Sequence, residues 1–137
     1  MKPEYFNNFQ KVVHAAIWFG DKLMLSQVVK NCYHKGFWSD VGGKVEKGEF
    51  IERALVREVQ EESGLFFPPE SFVFIDCFIY PKRELKCFLY EVHLPVLSFR
   101  EVKNVEPHKQ SDWQLFTHKQ ALKLKLMPSV EFYLKNF

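Results

Sequence analysis

Three glutamates, Glu58, Glu61 and Glu62, crowd the end of the stretch GKVEKGEFIERALVREVQEESGL, from Gly43 to Leu65. Nothing from Ile51 to Ser63 interrupts a helix, and Gly64 suits its end because glycine accepts the left-handed conformation of a helix stop. The spacing predicts about three to four helical turns, preceded by turns at Gly42-Gly43 and Lys47-Gly48. On a helical wheel of about 100° per residue, Ile51, Ala54, Leu55, Glu61 and Glu62 all fall within roughly 60° of Glu58. An apolar stripe thus ends acidic, and the carboxylates are expected to face the core or a cleft at its edge. Local rules oppose this arrangement. Like charges three and four residues apart repel by about 0.2–0.5 kcal/mol per pair, and the helix dipole disfavours an anion in the last turn by roughly 0.3–1 kcal/mol. A divalent cation compensates such crowding: carboxylate oxygens suit hard ions, and Mg²⁺ commonly joins one or two carboxylates to substrate phosphates. Mg²⁺ is therefore the expected cofactor, with Mn²⁺ as the alternative. Arg57, just outside the stripe, is placed to reach back to Glu49 and fix the preceding loop.

The ordinary fate of three such glutamates is a solvated helix end paired to lysines, but the glycines around them point elsewhere. The segment resembles the Nudix box, G-x5-E-x7-R-E-U-x-E-E-x-G-U with U aliphatic. Gly43, Glu49, Arg57, Glu58, Val59, Glu61, Glu62, Gly64 and Leu65 occupy every fixed position. The resemblance implies a loop and helix that hold Mg²⁺ and hydrolyse a nucleoside diphosphate linked to another group. By position it implies Glu58 and Glu62 as main metal ligands, and Glu61 as a further ligand or water-orienting base. Gly43 would add a backbone-carbonyl ligand, with Glu49 and Arg57 as the supporting pair.

At 137 residues with 47% apolar content, the chain is long enough to bury a core as one domain, 1–137. Its formal charge of +2 is too small for a nucleic-acid-coating protein, so no stable nucleic-acid complex is expected, although a weak positive field helps attract anionic substrates. The start, MKPEYFNNFQ, lacks the apolar run of a signal peptide, and no stretch reaches membrane-spanning length. Cys32, Cys77 and Cys87 form no C-x-x-C pair. A reduced, cytoplasmic protein without disulfides or membrane association is the simplest expectation; homodimerisation stays open.

The elements that must position the box follow from the rest of the chain. Val12 to Phe19 and Lys22 to Val29 are rich in β-branched and aromatic residues around Gly20-Asp21, a hairpin signal. His14 in the first strand reads as a satisfied core histidine, whereas the resemblance implies that this sheet floors a base pocket. The loop from Lys30 to Lys35 mixes cations with Tyr33 and His34. Phe37 and Trp38 follow as aromatic groups able to pack on a base. Ser39 stands where related oxidised-purine triphosphatases carry an Asn, and Val41 where the family usually has a proline. Phe50 offers no side-chain cap to the acidic helix. Phe72 to Tyr80 and Glu84 to His93 form a second strand pair around Pro81-Lys82-Arg83.

Pro95 to Asp112 reads as a long polar loop, the kind that often binds ligands. Its run from Asn104 to Trp113 resembles the N-x-E-P-x-K-x-x-x-W segment of a triphosphate-cleaving Nudix branch. That resemblance implies Glu106 as a further acidic group at the metal. A short strand is expected from Trp113 to Phe116. Thr117 and Gln120 then make a capping box that opens a helix to about Lys125, and a terminal helix starts at Pro128-Ser129. Related purine triphosphatases carry acidic base-reading residues after this proline; here Ser129 and Val130 stand there, making Ser129 the candidate contact.

Strand pairs around one acidic helix, with a second helix at the end, indicate an α/β chain whose mixed sheet is covered on two faces. The resemblance sharpens this to the Nudix α/β/α sandwich and to a MutT-like branch. The expected reaction is Mg²⁺-dependent cleavage of a nucleoside triphosphate, including modified or deoxy forms, to the monophosphate and pyrophosphate. Two alternatives stand beside it. One is hydrolysis of another diphosphate-linked substrate such as ADP-ribose, a dinucleotide or a nucleotide sugar. The other is a noncatalytic nucleotide or RNA sensor, against which stands the retention of every box carboxylate.

Overall fold

The structure, a computed structural model, describes residues 3–137. Its centre is β1 (Gln10–Phe19), where every residue from Gln10 to Phe19 pairs in parallel with β6 (Leu85–Leu94). The opposite edge of β1 is shared. Its first half, Val12 to Ala15, pairs with β4 (Val41–Lys44), while Trp18 and Phe19 pair with β2 (Lys22–Gln27) across the Gly20-Asp21 turn. Gly20 has φ +64° there, which glycine adopts without strain. β2 continues outward to β3 (Trp38–Ser39) and β7 (Gln114–Thr117), and β5 (Val73–Tyr80) lies antiparallel on β6. The result is a seven-stranded mixed sheet.

Alternation along β1 sends its residues to two cores. Val13, Ala15, Ile17 and Phe19 face α1 (Ile51–Ser63) and pack on Ala54, Leu55 and Val59. Val12 and Ala16 face α3 (Pro128–Asn136) and pack on Val130, Tyr133 and Leu134. Each fully buried aliphatic side chain contributes about 1.5–3 kcal/mol, so both helices are clamped to the sheet as an α/β/α sandwich.

Helix α1 has the expected limits. Phe50 supplies no side-chain cap, and Gly64 closes the helix at φ +76° with its N–H on the Gln60 carbonyl at 3.0 Å. The capping box at Thr117 and Gln120 is also present, but α2 (His118–Ala121) stops four residues in rather than reaching Lys125. Trp38 explains the stop. Its N–H donates to the Lys125 carbonyl and its carbonyl accepts from Met127 N–H. A strand-like clamp thus pulls residues 125–127 out of helical geometry. The three cysteines are free thiols. Cys77 lies opposite Phe88, and Cys87 opposite Phe78, so the two side chains leave the sheet on opposite faces. Among the described residues no helix is long and apolar enough to cross a membrane.

Candidate active site

Arg57 is the mechanical centre of the acidic segment. Its Nε donates to Glu49 Oε2 at 2.8 Å and its Nη2 to Glu49 Oε1 at 2.9 Å, a bidentate fork. Nη2 also reaches the Lys44 carbonyl at 2.9 Å, while Nη1 donates to Glu58 at 2.8 Å and Glu61 at 3.3 Å. One guanidinium therefore ties β4, the following loop and α1 together. Its hydrogen bonds hold the Glu49 carboxyl below the usual carboxylate range, and Glu49 in return raises the pKa of Arg57.

The three box glutamates differ in placement. Glu62 is half-buried and accepts from Gly42 N–H at 2.9 Å. Glu58 is also half-buried and lies against Gly43, where an added Cβ would come within 2.3 Å of its carboxyl carbon. Glu61 stands at the rim, its side chain 51% exposed. Glu61 does not turn toward the core with the other two, and among the described residues no three acidic, histidine or cysteine side chains are already gathered into a metal-holding cluster. The buried face of α1 comprises Ala54, Leu55, Val59 and Ser63, centred about 65° from Glu58 on the wheel. Glu62 lies roughly 25° from that centre and Glu61 roughly 125° from it. Mutual repulsion, eased by Arg57 on Glu58 and Glu61, favours the same separation.

The donor set fits a hard divalent cation. Burial pushes Glu62 up to about 8, against the Gly42 N–H, and the negative charges of Glu58, Glu106 and Asp40 add to the rise. Burial likewise raises Glu58, in spite of Arg57, with Glu61 and Glu106 contributing. Carboxylates this costly to ionise beside one another gain most from a small cation. The cradle at Gly43, which any side chain would fill, leaves backbone accessible next to them. The groups able to hold such an ion are Glu58 and Glu62, with Glu61 and the Gly43 carbonyl nearby and Glu106 within electrostatic reach.

The long loop is fastened to α1. Trp113 Nε1 donates to the Glu62 carbonyl at 3.1 Å and Gln110 Nε2 to the same oxygen at 3.4 Å. Buried Gln110 also accepts from Ser26 Oγ at 3.3 Å, and its carbonyl accepts from Asn104 Nδ2 at 2.9 Å. These bonds bring Glu106 toward the carboxylates, with Lys109 Nζ on its Oε2 at 2.9 Å. No local pattern marks Gln110 as a tether; only the loop's folded path does.

On the other face of the sheet, His14 and Ser129 line a cavity of about 200 Å³ together with Phe78, Tyr80, Arg83 and Met127. His14 Nδ1 lies 2.8 Å from Asp40 Oδ1, and its Nε2 lies 3.2 Å from Ser129 Oγ. Burial opposes a charged imidazole, but the charge and hydrogen bond of Asp40 outweigh it and hold His14 at about 10. Phe37, Trp38 and Ser39 do not line this cavity. Phe37 packs under Lys125 Nζ at 4.4 Å, and Trp38 meets Phe116 edge-on at 5.2 Å within the second core. Ser39 Oγ donates to the Asp40 carbonyl at 3.1 Å. Sequence reasoning missed Asp40, although an acidic residue set directly before Val41 and the double glycine was a usable signal. Phe78, Tyr80 and Arg83 were placed in the second hairpin without a role, since only the parallel β1–β6 pairing carries that hairpin to His14.

Known proteins bear on this geometry. The Nudix domain family matches residues 9–135. A stretch of 63 residues is 35% identical to the 8-oxo-dGTP diphosphatase of Buchnera aphidicola, covering 46% of this chain and 51% of that protein. Another of 55 residues is 42% identical to the CTP pyrophosphohydrolase of Escherichia coli, covering 40% and 41%. The matched stretches thus span about half the length of these relatives or less. The crystal structure of a MutT Nudix hydrolase from Burkholderia pseudomallei superposes with a TM-score of 0.79 at 22% identity, over 92% of this chain and 95% of that one. The likeness to that structure is one of fold, whereas the family match extends from β1 into α3 and takes in the whole glutamate-bearing segment. This chain belongs to the Nudix family.

Proposed function

We propose that this protein is a pyrophosphohydrolase that cleaves a nucleoside triphosphate to the monophosphate and pyrophosphate, using Mg²⁺ or Mn²⁺ at the α1 carboxylates. The observation that carries this reading is the half-buried Glu62, held on the Gly42 N–H beside Glu58 and within reach of Glu106. A bound divalent cation supplies neutralisation of phosphate charge and activation of water for attack on phosphorus. Glu58 and Glu62 would hold it, with the Gly43 carbonyl and Glu106 beside them, and Glu61 at the rim, which Arg57 Nη1 contacts at 3.3 Å, would orient water and accept its proton. Arg57 and Glu49 keep the loop in register with the helix. Gly42 of β4 links this centre to the cavity at His14 and Ser129: its N–H reaches Glu62, a Cβ on it would lie 2.6 Å from His14 Nδ1, and the apolar walls of that cavity suit a nucleobase. The names of two relatives, one an 8-oxo-dGTP diphosphatase and one a CTP pyrophosphohydrolase, are in keeping with a triphosphate substrate.

The test is incubation of the purified protein with Mg²⁺ and a nucleotide panel, with products separated by anion exchange. Pyrophosphate with a monophosphate is the expected result. Monophosphates without pyrophosphate would assign a dinucleotide or nucleotide-sugar substrate instead, and tight binding without turnover would make the protein a sensor.

A further inference from the structure

We infer that Asp40, acting through His14, sets the Ser129 hydroxyl as a hydrogen-bond donor toward the cavity, so that the site takes a nucleobase presenting an exocyclic carbonyl in preference to an amino group. This rests on the reading of the protein as a nucleotide hydrolase and deepens it to a substrate class.

The chain of hydrogen bonds begins at a buried carboxylate. Asp40 is 6% exposed, and among the described residues its ion-pair partner is His14. A carboxylate so buried needs a compensating charge, which makes His14 an imidazolium with protons on both ring nitrogens. Its pKa, held at about 10, agrees. Nδ1 donates to Asp40, and Nε2 donates to Ser129 Oγ at 3.2 Å. Space for this arrangement comes from the backbone: a Cβ on Gly42 would lie 2.6 Å from His14 Nδ1.

Ser129 is 5% exposed, and its oxygen has the His14 proton to accept. Its own proton has no other partner among the described residues, and buried hydroxyls are seldom left unpaired. The open direction is the cavity that Ser129 lines. No carboxylate or carboxamide lines that cavity, and Arg83 adds a cation to its wall. A base with a carbonyl oxygen accepts from Ser129, whereas an exocyclic amino group offers no acceptor there and leaves the buried hydroxyl proton unpaired.

Paired substrates that differ chiefly in an oxo or amino group provide the test: inosine against adenosine triphosphate, and uridine against cytidine triphosphate, each as kcat/KM with Mg²⁺. The oxo member of each pair should be favoured by about tenfold or more, chiefly through KM. Ser129→Ala should shrink that ratio to about twofold. Asp40→Asn should do the same although Asp40 does not line the cavity, and the double variant should lose nothing further. A general structural defect would lower both members of a pair and leave their ratio intact. If Asp40→Asn fails to fold, Ser129→Ala, which removes one buried oxygen, decides alone. Turnover with no oxo preference, or a preference that survives Ser129→Ala, overturns this inference and leaves the hydrolase standing. Absence of turnover with every nucleotide overturns both.

Discussion

Glu62 and His14 are both strongly shifted by their surroundings, and each yields an expectation. Glu62→Gln keeps an acceptor oxygen for Gly42 N–H, so thermal melting followed by circular dichroism should stay within a few degrees of the parent. Losing the carboxylate should cut kcat/KM at least about a hundredfold, equivalent to ~2.7 kcal/mol; full activity in this variant would remove Glu62 from the mechanism. His14 bears on stability. Its pKa rises from about 6.5 in the unfolded chain to about 10 in the folded protein, so the folded state holds the proton more tightly. The stabilisation is complete below pH 6.5 and is lost as the pH climbs toward 10. Melting temperatures measured from pH 6 to 10 should fall by on the order of 5 °C more in the parent than in Asp40→Asn. Equal slopes would mean that the Asp40–His14 pair carries no charge. The glutamates were readable at this scale because the box spacing is local. The His14–Asp40–Ser129 chain was not, because its hydrogen bonds join residues 26 and 115 positions apart.

The acidic helix and the strand before it act as one unit, and Arg57 and Gly43 are its joints. Arg57→Lys exchanges a planar fork serving Glu49, Glu58 and the Lys44 carbonyl for a single ammonium. The expected cost is about 1–2 kcal/mol in urea unfolding, with a loss of turnover because loop and helix no longer share a register. Gly43→Ala works differently. Its Cβ would press on the Glu58 carboxylate, the far end of a flexible side chain, so the fold should survive while Glu58 swings away. We expect near-native melting with turnover at least tenfold lower, about 1.4 kcal/mol; an active Gly43→Ala enzyme would show that Glu58 need not lie on that backbone. The limits of α1 were legible from Gly64 and from uninterrupted helical periodicity, as was the first hairpin from Gly20-Asp21. Glu61 was turned inward in the sequence reading because the wheel was centred on Glu58. The core face is centred nearer Leu55 and Val59, which apolar periodicity alone could have indicated. α2 was read too long because the backbone of Trp38 ends it from far away in the chain.

Across the whole molecule, the sheet divides the two halves of the proposed reaction. The carboxylates belong to the α1 face and the cavity to the α3 face, with the glycine backbone of β4 between them: Gly42 N–H serves Glu62, while its Cα borders His14. The α/β/α layering was legible from alternating strand pairs and helices, but the parallel β1–β6 pairing that assembles the cavity was not, since no local signal selects a parallel partner. If the division holds, cation binding and base selection are separable. A ligand bound only by the folded state stabilises it by about 2.7 kcal/mol at a hundred times its dissociation constant. For a chain of this size that is on the order of 10 °C in Tm. Adding Mg²⁺ to metal-stripped protein should therefore raise the melting temperature, and EDTA should reverse the rise. Glu58→Gln and Glu62→Gln should abolish most of the rise, whereas Ser129→Ala, on the far face, should retain it while losing the oxo preference. A Mg²⁺ response in Ser129→Ala as weak as that of Glu62→Gln would mean that the two faces form one coupled site rather than two joined across β4.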